Sequence, residues 1–257
     1  MILRIRGIVP LVNPRTAITR ANLRGLDRRR QRAMTDLASS CCPKEGVGDY
    51  VGSRLSRYDY GIFSERDGVL QAFMMLQEFV ERGERHVYLG PLFSCEGACV
   101  PMFTAFFEGL ARSPSSGFHL LAEVQNPRIA LVFKRLFLRS SFPKLDSVSV
   151  PSRALVVVDR FCARLSHIGP VDLPALRGRG TDTLFCPSPA YDPVRQWMRR
   201  RGVDLEAGDA QLFVVTCDGS RADRTRVGLD LSSGVRALGA WPSCKRTMLQ
   251  RFERGAR

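Results

Sequence analysis

Several features that mark specialised protein classes are absent from this chain of 257 residues. No apolar run reaches the roughly 18 residues that a membrane-spanning helix needs, and the apolar part of MILRIRGIVPLVNPR is too short and interrupted for a signal peptide. Eight cysteines are too few for a disulfide scaffold and include no Cys-x-x-Cys pair. Three separated histidines complete no zinc spacing. We therefore expect a cytoplasmic protein with buried thiols and no metal.

Lysine is also scarce, so arginine supplies nearly all of the positive charge behind a net charge of +14. Arginines concentrate at 15–32, 195–201 and 244–257. Such a field attracts RNA, DNA, acidic proteins or the phosphates of a nucleotide-bearing cofactor. Solvated helix faces explain the same clusters equally well.

The hydrophobic content of 44% is ample for a packed core, in one large domain or two small ones. Residues 16–38 have apolar positions at helix-compatible spacing with arginines between them, which predicts one or two basic amphipathic helices. Residues 39–53 are rich in Gly, Pro and Ser and predict a loop.

A strand meander follows. Asp67-Gly68 is a strong two-residue hairpin signal between apolar stretches, which predicts antiparallel strands near 58–65 and 69–79. A turn at Arg82-Gly83 then leads to a third strand near 85–93. The sheet is expected to be mostly antiparallel.

From Gly97 onward the apolar spacing changes to a helical one, with Phe103, Phe106, Phe107 and Leu110 on one face. The segment 113–117 ends that helix, and FHLLAEV (118–124) is the next predicted strand. Asn126 is a good N-cap and Pro127 suits the first helical position, because proline has no amide to leave unpaired. A second amphipathic helix should begin there.

The pattern weakens beyond residue 140. Residues 153–161 and 210–218 resemble strands, YDPVRQWMRRRG (191–202) resembles a capped helix, and 165–192 and 219–247 resemble loops. We expect a domain over 1–164, with a basic helical part at 1–53, and an extension or small subdomain over 165–257. Alternatively, the last ninety residues pack onto the first domain.

Residues 58–137 are predicted to form a hairpin, a strand, a helix, a strand and a helix, in that order. This order of elements resembles the GNAT superfamily of N-acetyltransferases. SERDGVLQAFMM looks like that family's second and third strands, and HVYLGPLFSCEGACVPMFTAFFEGLA like its fourth strand, pyrophosphate loop and third helix. HLLAEVQNPRIALVFKRLF looks like its fifth strand and fourth helix, where an Asn is usually followed seven residues later by an aromatic. The resemblance implies an α+β fold, with a mixed, mostly antiparallel sheet flanked by helices.

The resemblance also implies acetyl-CoA or another acyl-CoA as cosubstrate. A turn between a strand and a helix offers amides and a helix dipole to a pyrophosphate. The turn here contains a single glycine, and Glu96 would repel phosphate. The implied cofactor-binding residues are Phe93, Ser94, Cys95, Gly97, Ala98, Cys99, Asn126 and Phe133.

Acetyl transfer to an amine needs a base and often an acid for the departing thiolate. By the resemblance, Glu123 matches the carboxylate base, with Glu78 in reserve. Glu123 could equally be an exposed strand carboxylate or an ion-pair partner of Arg128. Phe133 stands where relatives often have an acidic Tyr, so Tyr88, Cys95 or water would have to protonate the thiolate.

Two functions remain open from the sequence. One is an acyl-CoA-dependent N-acyltransferase in which an unidentified amine attacks the thioester directly. The other is a noncatalytic GNAT-like module whose basic terminal segments bind nucleic acid or an acidic partner.

Overall fold

The computed structural model describes residues 16–42, 44–95, 97–111, 117–147, 149–180 and 188–255. Its strands are β1 (Thr16–Asn22), β2 (Tyr60–Arg66), β3 (Val69–Glu81), β4 (Glu84–Ser94), β5 (Phe118–Val124), β6 (Ser141–Phe142), β7 (Val171–Asp172), β8 (Arg177–Gly178) and β9 (Ala210–Cys217). Its α-helices are α1 (Arg28–Cys41), α2 (Val47–Leu55), α3 (Cys99–Ala111), α4 (Pro127–Leu136), α5 (Ser152–Arg164), α6 (Asp192–Arg200), α7 (Arg221–Gly239) and α8 (Trp241–Arg254).

The chain divides into two compact units. The first comprises residues 1–78 and 89–113, and the second comprises 79–88 and 114–257. Strands β3 and β4 contribute residues to both. The predicted domain division after residue 164 stays a prediction, although β9, which follows that position, pairs with β5, which precedes it.

In the first unit the strands follow the order β1-β2-β3-β4. The turn between β2 and β3 has positive φ at Asp67 (52°) and Gly68 (78°), the backbone that a two-residue hairpin requires. Arg82 and Gly83 repeat this conformation between β3 and β4. Both predicted turns and all three predicted strands of the meander are confirmed.

Helix α3 confirms the predicted apolar stripe. Phe103, Phe106, Phe107 and Leu110 are all buried, and the rings of Phe103 and Phe107 stack with centroids 5.5 Å apart. The predicted helix end at 113–117 lies mostly outside the described residues.

The prediction of helix throughout 16–38 was wrong at its start. Residues 16–22 form an edge strand whose whole length pairs antiparallel with β2, and only then does α1 begin, capped by the Asp27 carboxylate. The predicted loop at 39–53 was also wrong, because α2 occupies its second half. Short amphipathic stretches fit either structure locally, and an available sheet edge decides between them.

In the second unit the strands follow the order β4-β5-β9-β8-β7, and β6 also pairs with β9. The pairing of β5 with β9 is antiparallel, with Glu123 opposite Leu212. Every residue of β9 is buried, and α5 packs on β5 and β9. The predicted strand at 210–218 and the helix within 191–202 are confirmed.

Two predictions for the carboxyl-terminal half were wrong. Residues 153–161 form part of α5, with Ala154, Val157, Val158 and Phe161 buried at helical spacing. The predicted loop at 219–247 is mainly α7 and α8. Within 165–192, β7 and β8 are only two residues long, and 181–187 lie outside the described residues.

The predicted fold class is confirmed: helices flank a mostly antiparallel sheet. Among the described residues, no helix is both long enough and apolar enough to cross a membrane.

Candidate functional site

The junction between β5 and α4 forms as predicted. The Asn126 side-chain oxygen accepts a hydrogen bond from the amide of Arg128 at 2.9 Å, and Pro127 occupies the first helical turn. This cap satisfies one of the amides that a helix leaves unpaired at its start. Asn126 therefore has a structural task at the place where the resemblance implies cofactor contact.

Phe133 lies in the core of the second unit. Its side chain is 1% exposed, and its ring centroid lies 5.1 Å from that of Phe137 and 5.4 Å from that of Phe213. Its burial by these aromatic neighbours gives it a packing role. Whether it also contacts a cofactor stays a prediction.

Glu123 is a half-buried carboxylate near the end of β5. A Cβ added to Gly178 would lie 3.5 Å from its Oε1 atom, so the backbone of β8 passes close to the carboxylate. Burial raises the pKa of the nearby Cys162 thiol to about 11, and the charges of Asp159 and Glu123 add to this shift. The carboxylate thus lies between β8 and α5, within the second unit.

Tyr88, the predicted acid, is 2% exposed at the end of the β4 segment that belongs to the second unit. Its ring meets that of His167 edge to face, with centroids 5.3 Å apart. Its role as an acid stays a prediction.

The predicted pyrophosphate turn lies in the first unit. Gly97 has a φ of 77°, and Phe93 and Cys99 are buried on either side of the turn. The Cys95 amide donates to the Gln71 carbonyl at 2.9 Å and the Ala98 amide donates to the Cys95 carbonyl at 3.2 Å. The Ser94 hydroxyl donates to the Cys95 carbonyl at 2.6 Å. These donors are already engaged, so the turn has fewer of them for a phosphate than the resemblance implies. Glu96 lies outside the described residues.

Cys95 has a thiol neighbour from α1. Burial raises the pKa of Cys41, and the Cys95 side chain adds to the rise. The structure therefore brings together two thiols that lie far apart in the sequence.

Glu78, the reserve base, is an ion-pair partner in the first unit. Its Oε2 atom lies 3.0 Å from Nη2 of Arg20, and the side chain is 14% exposed. The Arg20 guanidinium also lies 4.2 Å from the Tyr60 ring centroid. This contact gives Glu78 a structural role that the sequence did not indicate.

The predicted residues thus fall in both units. Phe93 to Cys99 belong to the first, whereas Tyr88, Glu123, Asn126 and Phe133 belong to the second. A coenzyme A site that uses both sets stays a prediction.

Sequence spacing missed one constellation in the second unit. Glu84, His86 and His119 bring potential ligand atoms within 4.8 Å of one another, although β4 and β5 supply them from distant parts of the sequence. Burial lowers the pKa of both His86 and His119, which favours neutral imidazoles. A one-dimensional zinc pattern could not reveal this set, because adjacent strands assemble it.

The chain was compared with protein families, curated proteins and solved structures. No protein-family model and no curated protein matches the chain. Among solved structures, an acyl-CoA N-acyltransferase from Pseudomonas aeruginosa is 19% identical over 42% of this chain and 79% of its own, with a TM-score of 0.32. The ribosomal-protein-S18-alanine N-acetyltransferase of Escherichia coli is 9% identical over 79% of this chain and 96% of its own, with a TM-score of 0.33.

A GNAT family acetyltransferase from Brucella melitensis, solved with acetyl-CoA, is 13% identical over 40% of this chain and 74% of its own, with a TM-score of 0.28. All three structures are named as acyltransferases or acetyltransferases, at 19% identity or less. The matches identify no substrate.

Proposed function

We propose that this protein is an acyl-CoA-dependent N-acyltransferase. The observation that carries the proposal is the strand-to-helix junction at Asn126. This junction lies three residues after Glu123 in the sequence. The hairpin, β4, α3, β5 and α4 occur in the order that the family resemblance implies. The Brucella protein was solved with acetyl-CoA, and the proposal extends that cosubstrate to this chain.

In the proposed mechanism an amine attacks the carbonyl carbon of the thioester directly. The new C–N bond forms as the C–S bond breaks, and Glu123 accepts the proton that the amine loses. The sulfur leaves as a thiolate, which is protonated by Tyr88 or water. Phe133 takes no part in proton transfer, because a phenyl ring carries no exchangeable proton.

Calorimetric titration with acetyl-CoA and longer acyl-CoAs tests the cosubstrate. We expect dissociation constants well below a millimolar, a threshold that corresponds to roughly 4 kcal/mol of binding free energy. Weaker binding of every acyl-CoA would argue against a dedicated site.

Glu123→Gln tests the base, because it keeps the shape of the side chain and removes the basic oxygen. We expect unchanged acyl-CoA affinity and a turnover lower by roughly 10²- to 10⁴-fold with an accepted amine. The matched control is Glu253→Gln on the exposed face of α8, which should leave both quantities unchanged. Turnover in Glu123→Gln equal to that of the native protein would remove Glu123 from the base role.

A second candidate is a noncatalytic module that binds nucleic acid or an acidic partner. Two observations favour it: the engaged amides of the turn at 95–98, and the exposed arginines at 246, 251 and 254 on α8. Retention on RNA with a steep salt dependence, together with no acyl-CoA binding, would select it.

A further inference from the structure

Two imidazoles and a carboxylate converge on one face of the sheet in the second unit. Glu84 and His86 are two residues apart on β4, so their side chains leave the same face. His119 comes from β5, the neighbouring strand. Its Nε2 atom lies 3.1 Å from Oε2 of Glu84, and the ring centroids of the two histidines are 4.8 Å apart.

Among the residues that the structure describes, both imidazoles have buried nitrogen atoms without a hydrogen-bond partner. His86 is 0% exposed and His119 is 1% exposed. These atoms include Nε2 of His86 and Nδ1 of His119. Since buried polar atoms in folded proteins nearly always have a partner, these two nitrogens require an explanation.

The His86 ring is already oriented in the way that metal ligands usually are. Its Nδ1 atom lies 3.1 Å from the backbone carbonyl oxygen of Glu84. If Nδ1 carries the proton and donates it to that carbonyl, the lone pair is left on Nε2, the atom without a partner. Histidines that bind metals typically have this arrangement, in which a carbonyl fixes the tautomer of the ring.

The rings around the cluster hold it in place. Phe79 stacks on His86 with centroids 4.7 Å apart, and Phe161 from α5 meets His86 edge to face at 5.4 Å. These contacts restrict the rotation of the imidazole and exclude water from one side. The cluster is therefore rigid where His86 enters it.

Arg160 is a nearby group that would repel a cation, and the charge of Arg153 also acts on His119. The Nη1 atom of Arg160 lies 3.3 Å from Oε2 of Glu84, and its Nε atom lies 3.5 Å from Oε1 of Glu81. Glu81 therefore compensates part of its charge. A carboxylate has two oxygens, so Glu84 can keep Arg160 on one and offer the other to a metal ion. Hydrogen-bonded carboxylates of this kind are common among metal ligands.

We propose that Glu84, His86 and His119 form a binding site for a divalent first-row transition metal ion, with Zn²⁺ the best match. Two imidazoles and one carboxylate are a known zinc ligand set, with the fourth position open to water. Tetrahedral zinc places its ligand atoms roughly 3.4 Å apart. Their separations here are at most 4.8 Å, so a modest side-chain adjustment is enough. The ion would link β4 to β5 and give the unpartnered nitrogens a partner.

Zinc titration of the metal-free full-length protein tests the site, with ZnCl₂ as the probe and the metal content measured by mass spectrometry. We expect one zinc ion per chain and a dissociation constant in the micromolar range or below. At a hundredfold excess over that constant, the melting temperature should rise by roughly 5 to 10 °C, because the ion binds only the folded state. Failure to retain zinc below a millimolar would overturn the proposal.

Variants distinguish zinc binding at this site from zinc binding by the cysteines. His119→Gln and Glu84→Gln should each weaken zinc binding at least tenfold, whereas His167→Gln, which changes the third histidine, should not. Circular dichroism and thermal unfolding of the metal-free variants show whether each is folded. The zinc affinity of the more stable of the two ligand variants then tests the proposal. Equal zinc affinity in that variant and in the native protein would overturn the proposal.

Co²⁺ provides an independent measurement on the native protein. Binding at the proposed site gives visible bands of tetrahedral cobalt without the intense near-ultraviolet band of a thiolate ligand. A strong thiolate band would place the ion on cysteine and contradict the assignment. None of these measurements depends on acyl transfer, so the metal proposal and the acyltransferase proposal can fail separately.

Discussion

The Nζ atom of Lys134 on α4 lies 2.8 Å from the hydroxyl oxygen of Ser141 and 3.0 Å from the carbonyl oxygen of Pro143, and the side chain has no exposed surface. Burial lowers the pKa of Lys134 to about 7, and the positive charge of Lys144 adds to the shift. The charged groups that face it also include Arg201, Asp146 and Asp230.

Stability should therefore depend on pH through Lys134. Between pH 7 and the ordinary lysine value of 10.5, the unfolded chain binds this proton and the folded chain does not. The free energy of unfolding should therefore rise with pH in that window, by up to about 1.4 kcal/mol per pH unit from this group. Urea unfolding of the native protein and of Lys134→Met at pH 7, 8 and 9 measures the difference between the two curves. Parallel curves would contradict the assignment.

Asp230 should be important for stability, because it joins α7 to the turn after α4. Its Oδ2 atom accepts hydrogen bonds from the amides of Arg139 and Ser140 at 2.8 and 2.7 Å, and from the Ser140 hydroxyl at 2.7 Å. Asp230→Ala removes the acceptor from buried donors and should cost about 2 to 4 kcal/mol in urea unfolding. Asp230→Asn keeps one oxygen and should cost less. Equal costs for the two variants would show that the hydrogen bonds are not the cause.

Two glycines of α7 should respond oppositely to alanine. A Cβ at Gly234 would lie 2.8 Å from the Arg135 carbonyl oxygen on α4, so Gly234→Ala should destabilise the fold by about 1 to 3 kcal/mol. A Cβ at Gly228 would meet no described atom within 4 Å outside the backbone of its own helix, and Gly228→Ala should stabilise the helix by about 0.5 to 1 kcal/mol. Thermal unfolding of both variants measures the contrast. Destabilisation by Gly228→Ala equal to that of Gly234→Ala would mean that close packing is not what selects glycine at 234.

The nucleic-acid alternative predicts a specific change in salt dependence. If Arg246, Arg251 and Arg254 each neutralise a single-strand RNA phosphate, replacing all three by Gln should reduce the slope of log K against log salt by about 2. Fluorescence anisotropy with a labelled RNA at several salt concentrations measures the slope. An unchanged slope, or no RNA binding by the native protein, would exclude α8 as the RNA-binding surface.

Local sequence was sufficient to predict the structure wherever a short motif is compatible with only one backbone conformation. Asp67-Gly68 and Arg82-Gly83 form their turns, and Asn126-Pro127 starts α4, because backbone preferences and capping act over a few residues. The predicted α3 stripe is buried for the same reason, since its spacing alone defines the face. These elements were enough to indicate the GNAT-like order from 58 to 137.

Tertiary structure decided what depends on partners distant in the sequence. Thr16–Asn22 is a strand because β2 offers it an edge, and the Gly- and Ser-containing α7 is a helix whose Gly234 fits closely against α4. The same holds for chemistry: Glu78 meets Arg20, and His86 meets His119, only after strands pair. Turn and capping signals determine backbone geometry from the sequence alone, whereas ambiguous segments and contacts between distant segments depend on the assembled sheet and its packed helices.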